Sequence, residues 1–291
     1  MCMAGNMPTG TTTRSERGAV GAVLTGTATR VDVCCEIAGG ATRLTRLDAT
    51  GLLRARMLPS RDGVARVALV QTAASLLGGD KVELRLECGA GSRLELVEVA
   101  GTVAHDVRGG PGARLDVRVM LGPGARMSWA ARPLTLAAGC DLERDTCVVL
   151  DDGAALLWRD TLVLGRAGEM PGRMVAGLDV RCDGVDLHAE RFETGDRELL
   201  CSPVVLGAGA RVLDTLALYG TRAAASTGDG GTLQLAGPGT IRPLPAPSLA
   251  TSARTLDPLQ ARWRAELFCD DHPEEGTTDG LRLALSTVGS G

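Results

Sequence analysis

Aromatic side chains make up only 2% of the 291 residues: three Trp, two Phe and one Tyr. The core must therefore be built from Leu, Val and Ala, and few rings can be spared to stack on a sugar ligand. Lysine is nearly absent as well. Lys81 is the one Lys among 31 basic residues, and 35 acidic residues bring the net charge to −4. That balance is wrong for a duplex-binding surface, so nucleic acid is not an expected partner. Histidine is confined to His105, His188 and His272, too few for a His-rich catalytic metal site. There is no G-x-S-x-G, no H-E-x-x-H and no Walker lysine motif, which removes the commonest hydrolase and phosphate-loop signatures. No window approaches a transmembrane span, and the apolar patch Ala19–Leu24 is too short and glycine-punctuated for a signal peptide. A cytoplasmic protein without a membrane partner is expected. The nine cysteines are odd in number and include no C-x-x-C, so reduced, mostly buried thiols are expected in place of a disulfide framework.

What the chain has in quantity is glycine, 39 residues, repeatedly paired with alanine. Gly89-Ala90, Gly112-Ala113, Gly124-Ala125, Gly153-Ala154 and Gly209-Ala210 each close a polar stretch and open an alternating one. Arg114-Leu115-Asp116-Val117-Arg118-Val119 is the clearest case, with apolar residues on one face and charges on the other. Further strands are predicted at Gly26–Glu36, Gly63–Val70, Lys81–Glu87, Arg93–Val99, Arg114–Leu121, Arg144–Leu150, Ala155–Gly165 and Val204–Leu218. The corner spacing is irregular, which argues against a repeat of fixed period. The fold class expected is mainly β, a β-helix-like or stacked-sheet scaffold with one or two short helices near the C-terminus.

Residues 1–20 read as a disordered lead, 21–269 as a single β-rich domain and 270–291, with His272, as a flexible tail. Pro243, Pro245 and Pro247 read as a stiff linker that cannot belong to a central strand. A helix is predicted near 257–267, with Asp257 as cap and Pro258 at its first position. Leu259, Trp263 and Leu267 would form its apolar stripe. Ala217–Ala225 is a second, shorter helix candidate, and His188 reads as a solvated strand position.

The sharpest local motif is Leu77-Gly78-Gly79-Asp80, a Gly-Gly turn whose carboxylate either accepts backbone N–H groups or faces a passage. Farther on, Leu164-Gly165-Arg166 precedes Gly168-Glu169, and Arg166 is placed to pair with Glu169 across the turn.

These motifs in this order, with Gly89-Ala90 between them and Trp263 on a C-terminal helix, resemble the UreD/UreH family of urease accessory proteins over roughly Val64 to Leu267. The resemblance implies a mainly β scaffold that is not itself an enzyme. It implies binding to apo-urease subunits and a UreF-type helical partner, and help in passing nickel from a UreG-type GTPase into urease. No tightly bound cofactor is expected, only transient nickel. On this reading Asp80 and Glu169 are metal-route candidates. Glu98 and His105 are further ones, in the loop Val97–His105 that corresponds to a threonine-rich loop of the family. Leu259, Trp263 and Leu267 are partner-binding candidates, with packing onto the chain's own β core as the competing fate. Two other readings stand beside this one: a β-helix enzyme acting on polysaccharide through Asp80, Asp116 or Asp160, and a decayed non-enzymatic β scaffold.

Overall fold

The computed structural model describes residues 26–73, 76–195, 209–224 and 230–269. Two sheets contain most of them. The first is made of β1 (Ala28–Ala38), β2 (Ala41–Ala49), β5 (Lys81–Cys88), β8 (Ala113–Leu121), β11 (Asp141–Leu150), β13 (Arg173–Cys182) and β14 (Val185–Glu193). The second is made of β3 (Leu53–Arg61), β4 (Val64–Gln71), β6 (Arg93–Glu98), β9 (Arg126–Ala130), β12 (Ala155–Leu164), β15 (Val212–Tyr219), β16 (Leu233–Gln234) and β17 (Gly239–Ala246). The short strands β7 (Thr102–Ala104) and β10 (Leu134–Leu136) extend it beside β12.

From β4 to β13 the chain passes from one sheet to the other and back, so each strand lies parallel to the one a coil earlier. In the first sheet Lys81 faces Arg114, Arg114 faces Glu143 and Glu143 faces Val175. In the second, Leu94 faces Met127 and Met127 faces Leu156. Each coil takes about 30 residues, but not a constant number, in keeping with the irregular corner spacing. Antiparallel hairpins close the ends, β1–β2 and β3–β4 on one side and β13–β14 on the other.

The corners stack as hydrogen-bonded turns. Ser92, Ala125 and Ala154 donate their N–H groups to Gly89, Gly122 and Asp151, while Gly91 and Gly124 donate to Pro123 and Asp152 of the next coil at 2.8 Å. The third residue of each turn is Gly91, Gly124 or Gly153, at φ of 66°, 64° and 65°, a conformation that disfavours a side chain. The residue after it is small and fully buried. Two of the five Gly-Ala pairs are thus this turn. Gly89-Ala90 lies two residues ahead of the equivalent position, and Gly112-Ala113 opens β8 at the other end of the coil.

Leu and Val supply the inter-sheet core, as the shortage of aromatics requires; Leu86, Leu94, Leu96, Leu121, Leu142 and Leu150 are essentially unexposed. A second apolar cluster lies outside the second sheet, where α1 (Leu249–Phe268) packs Leu256, Trp263 and Leu267 on Leu157, Leu216 and Leu218.

Several expectations are corrected. The helix starts eight residues before Asp257, capped by Ser248, whose hydroxyl accepts from Thr251 N, and Pro258 lies inside it. Burial of the stripe offsets the backbone bond that Pro258 cannot make. Ala217–Tyr219 end β15 and are not helical; Ala225 lies outside the described residues. Pro243 and Pro245 belong to β17, a full-length partner of β15 that β16 covers only at Ile241 and Thr240. Being two residues apart, both prolines direct their missing N–H positions to the uncovered side, which is how a strand tolerates them. His188 is on a strand, but its side chain is 16% exposed and Nδ1 lies 2.8 Å from the Tyr219 hydroxyl. The predicted lead, the tail with His272 and the start of the predicted strand Val204–Leu218 lie outside the described residues.

Candidate functional site

Asp80 closes the Gly78-Gly79 turn and is 3% exposed. Its Oδ1 accepts from Thr27 N at 2.8 Å and its Oδ2 from Leu77 N at 2.7 Å. Of the two roles the motif allows, the carboxylate performs the first: it ties the start of β1 to the turn before β5.

His105 and Glu169, distant in sequence, meet through Arg166. The loops after β7, β10 and β12 lie side by side, as Val107 N donates to Gly139 O and Gly172 N to Ala137 O. Arg166 Nη2 is 3.2 Å from His105 Nδ1, and Nη1 is 3.8 Å from Glu169 Oε1, the pairing expected from the sequence. Glu169 Oε2 accepts from Ala138 N at 3.3 Å. Burial, reinforced by the Arg166 charge, holds the His105 imidazole below its usual range, so a neutral ring with a lone pair is present at neutral pH.

Glu98 lies elsewhere, at the end of β6, where Oε1 accepts from Trp129 Nε1 at 3.0 Å and Oε2 from Arg132 N at 2.9 Å. Burial pushes its carboxyl up to about 7 against these two hydrogen bonds. Glu98 and Arg132 line both a cavity of about 90 Å³ between the sheets and an outer groove of about 610 Å³ under α1. Deeper in, Arg144 and Asp160 form a two-pronged ion pair that borders this cavity and a second one of about 250 Å³, reaching Glu190 and Tyr219. Groove, first cavity and second cavity therefore share walls in series, with Glu98 at one partition and the Arg144–Asp160 pair at the next. Arg144, Thr146 and Trp158 are among the lining residues of the first cavity, and their Nε, Oγ1 and Nε1 atoms are buried without hydrogen-bond partners among the described residues.

The candidates thus occupy three places, and among the described residues no three His, Cys, Asp or Glu side chains gather in metal-holding geometry. Arg144 and the inward position of Asp160 went unread in the sequence. Their signal is a charge on the apolar parity of a strand: Arg144 alternates with Leu142, Thr146 and Val148, and Asp160 with Trp158 and Leu162. The carboxylates named for a polysaccharide enzyme do not converge. Asp80 is in its turn, Asp160 is between the sheets and Asp116 pairs with Arg114 on the outer charged face. Trp129, Trp158 and Trp263 are 5%, 7% and 0% exposed, so none offers a platform for a sugar ring.

Trp263 and Leu267 face the chain's own sheet, while Leu259 is only partly buried beside them. Polar bonds fasten α1 further. Arg264 Nε is 2.5 Å from Glu95 Oε1, Arg126 Nη1 donates to Leu267 O at 2.7 Å, and the Ser252 hydroxyl bonds buried Asp214. No helix among the described residues is long and apolar enough to cross a membrane.

Residues 27–266 match the family model described as UreD urease accessory protein. "Urease accessory protein UreD 1" of Streptomyces griseus is 39% identical over 217 residues, covering 74% of this chain and 82% of that one. The Streptomyces coelicolor UreD is 39% identical over 164 residues, covering 56% and 62%, and that of Parafrankia sp. is 31% identical over 251 residues, covering 76% and 83%. The match spans the whole stack of coils and most of α1, and this chain belongs to the UreD family of urease accessory proteins.

Proposed function

We propose that this protein is a cytoplasmic, non-enzymatic scaffold for urease maturation that helps deliver nickel, as cargo, to apo-urease together with a UreF-type helical protein and a UreG-type GTPase. The observation that carries the reading is the family match over residues 27–266. Support for cargo handling comes from Glu98 and Asp160, carboxylates on the shared walls of adjoining cavities. Carboxylates hold nickel weakly enough to release it, unlike a closed thiolate site. Glu169 and neutral His105 form a second, surface pair of donors, and Asp80 acts by fixing the turn beside them. Arg166 competes with an incoming cation for both, so this pair would hold metal only briefly.

The test is co-expression of the urease subunits and remaining accessory proteins with and without this gene, reading urease activity and nickel per active site. Omission should lower both. Equal nickel loading without the gene would sink the reading.

A further inference from the structure

Cys35 and Cys88 stand opposite each other in the parallel β1–β5 pair. Neighbouring strands are about 4.8 Å apart, inside the Cα separation of about 4.4–6.8 Å that a disulfide spans. Both thiols are nearly unexposed, at 1% and 3%. Their sulfurs face the inter-sheet core, while the strand ends that carry them border an outer cleft of about 360 Å³ at the turn end of the first sheet, with Cys34, Glu36, Glu87 and Met120. Burial at this depth excludes a protein thiol from both sulfurs and restricts any oxidant to a small solute. The β1–β2 ladder is broken by a register shift between Cys34 and Cys35, which leaves β1 locally adaptable at that point.

The surroundings differentiate the two sulfurs. The Cys35 sulfur lies 3.5 Å from Ser92 Oγ, and hydrogen bonding from the Cys88 thiol holds Cys35 below the usual thiol range. The same contact and burial push Cys88 well above it. Among the described residues, burial raises Cys140, Cys182 and Cys34, and Cys147 is exposed on the outer face.

We propose that Cys35 and Cys88 are a redox-active thiol pair, a modification site that hydrogen peroxide converts to a disulfide. The Cys35 thiolate attacks the O–O bond, which breaks to leave a sulfenic acid on Cys35 and release hydroxide. Cys88 sulfur then attacks Cys35 sulfur, the S–S bond forms and water leaves with the Cys88 proton. Two thiols are oxidised and one peroxide is reduced to two waters. The bond ties the N-terminal hairpin to the first full coil, and the proposal is independent of the nickel reading.

The experiment treats the reduced full-length protein with hydrogen peroxide, unfolds it in iodoacetamide and maps the peptides. Expected is a linked Cys35–Cys88 peptide lighter by two hydrogens, reversed by dithiothreitol, appearing before oxidation of Cys140 and Cys182. In Cys88→Ser, Cys35 should instead accumulate as a sulfenic acid captured by dimedone. Recovery of Cys35 and Cys88 fully alkylated at a dose that oxidises Cys147 overturns the proposal. So does Cys35 passing to sulfinic acid in the unmutated protein with no linked peptide. The unmutated protein decides the matter even if Cys88→Ser does not fold.

Discussion

Arg144 and Asp160 join the two sheets from inside: Nη1 meets Oδ1 at 2.9 Å and Nη2 meets Oδ2 at 2.5 Å, with side chains 12% and 23% exposed. They sit on β11 and β12, consecutive strands that belong to opposite sheets, so the pair also bridges one coil. An ion pair in this position is a poor source of net stability, because the desolvation of both groups offsets most of their attraction. Its position between two cavities is what ties it to the route proposed above.

Removing one partner and removing both should therefore differ. Asp160→Ala leaves Arg144 buried and unpaired and should cost about 3 kcal/mol in urea unfolding. Arg144→Met with Asp160→Leu should cost little or stabilise, yet it should still lower urease nickel loading if the partition is part of the route. A double variant with normal stability and normal loading would remove Asp160 from the proposed path.

Glu98 makes stability depend on pH with a definite sign. Its folded carboxyl titrates near 7, above the ordinary value of 4.5, so between those values the folded state holds more protons than the unfolded one. Stability from this group is fully present below the unfolded value and is lost as pH rises through about 7. Glu98→Gln should flatten that slope while lowering absolute stability, because an amide cannot accept from both Trp129 Nε1 and Arg132 N. Melting temperatures from pH 5 to pH 8 for both proteins test it, and parallel curves would exclude Glu98 as the titrating group.

Alternation of apolar and charged residues made β5, β6, β8 and most of β11 legible, since each has one face toward the core, but the parallel inner strands β9 and β13 were not among the predicted strands. The outer hairpin strands were harder. β2 and β14 are exposed along much of both faces and carry little period-two pattern, but their turns did leave a mark. Gly39-Gly40, Asp62-Gly63 and Asp183-Gly184 have positive φ at both residues, the two-residue hairpin turn that such dipeptides favour. Pro243 and Pro245 misled because only the pairing of β17 reveals which side lacks a neighbour. The site was legible by residue type and illegible by position. His105 reaches Arg166 only because two coils of unequal length separate them, and no local pattern fixes that length.

Trp263 is a core residue of this chain by its burial, although the sequence permits a partner interface as well. Trp263→Ala should lower stability by about 3–5 kcal/mol and reduce the melting temperature of the isolated protein sharply. Leu259→Ala, at the partly buried edge of the same stripe, should cost far less. A pull-down with the UreF-type partner, normalised to folded protein, should be nearly unchanged by Trp263→Ala. Lost binding with an unaltered melt would mean that α1 leaves its sheet when the partner binds.

Asp80 and Glu169 should separate in the same way, because one spends its oxygens on the fold and the other does not. Asp80→Ala strands the N–H groups of Thr27 and Leu77, and loss of bonds to a charged acceptor should cost about 1.5–3 kcal/mol for each bond. Urease activation should then fall only as far as the amount of folded protein falls. Glu169 is a third exposed and makes one 3.3 Å bond and one 3.8 Å ion pair, so Glu169→Gln should leave the melt within about 0.5 kcal/mol of normal. With His105→Ala it should lower nickel loading at limiting nickel, and added nickel should restore it, since a weakened transfer site is compensated by mass action. If the double variant loads urease normally at limiting nickel while Asp80→Ala fails at full folded concentration, the roles assigned to the turn and to the surface pair are reversed.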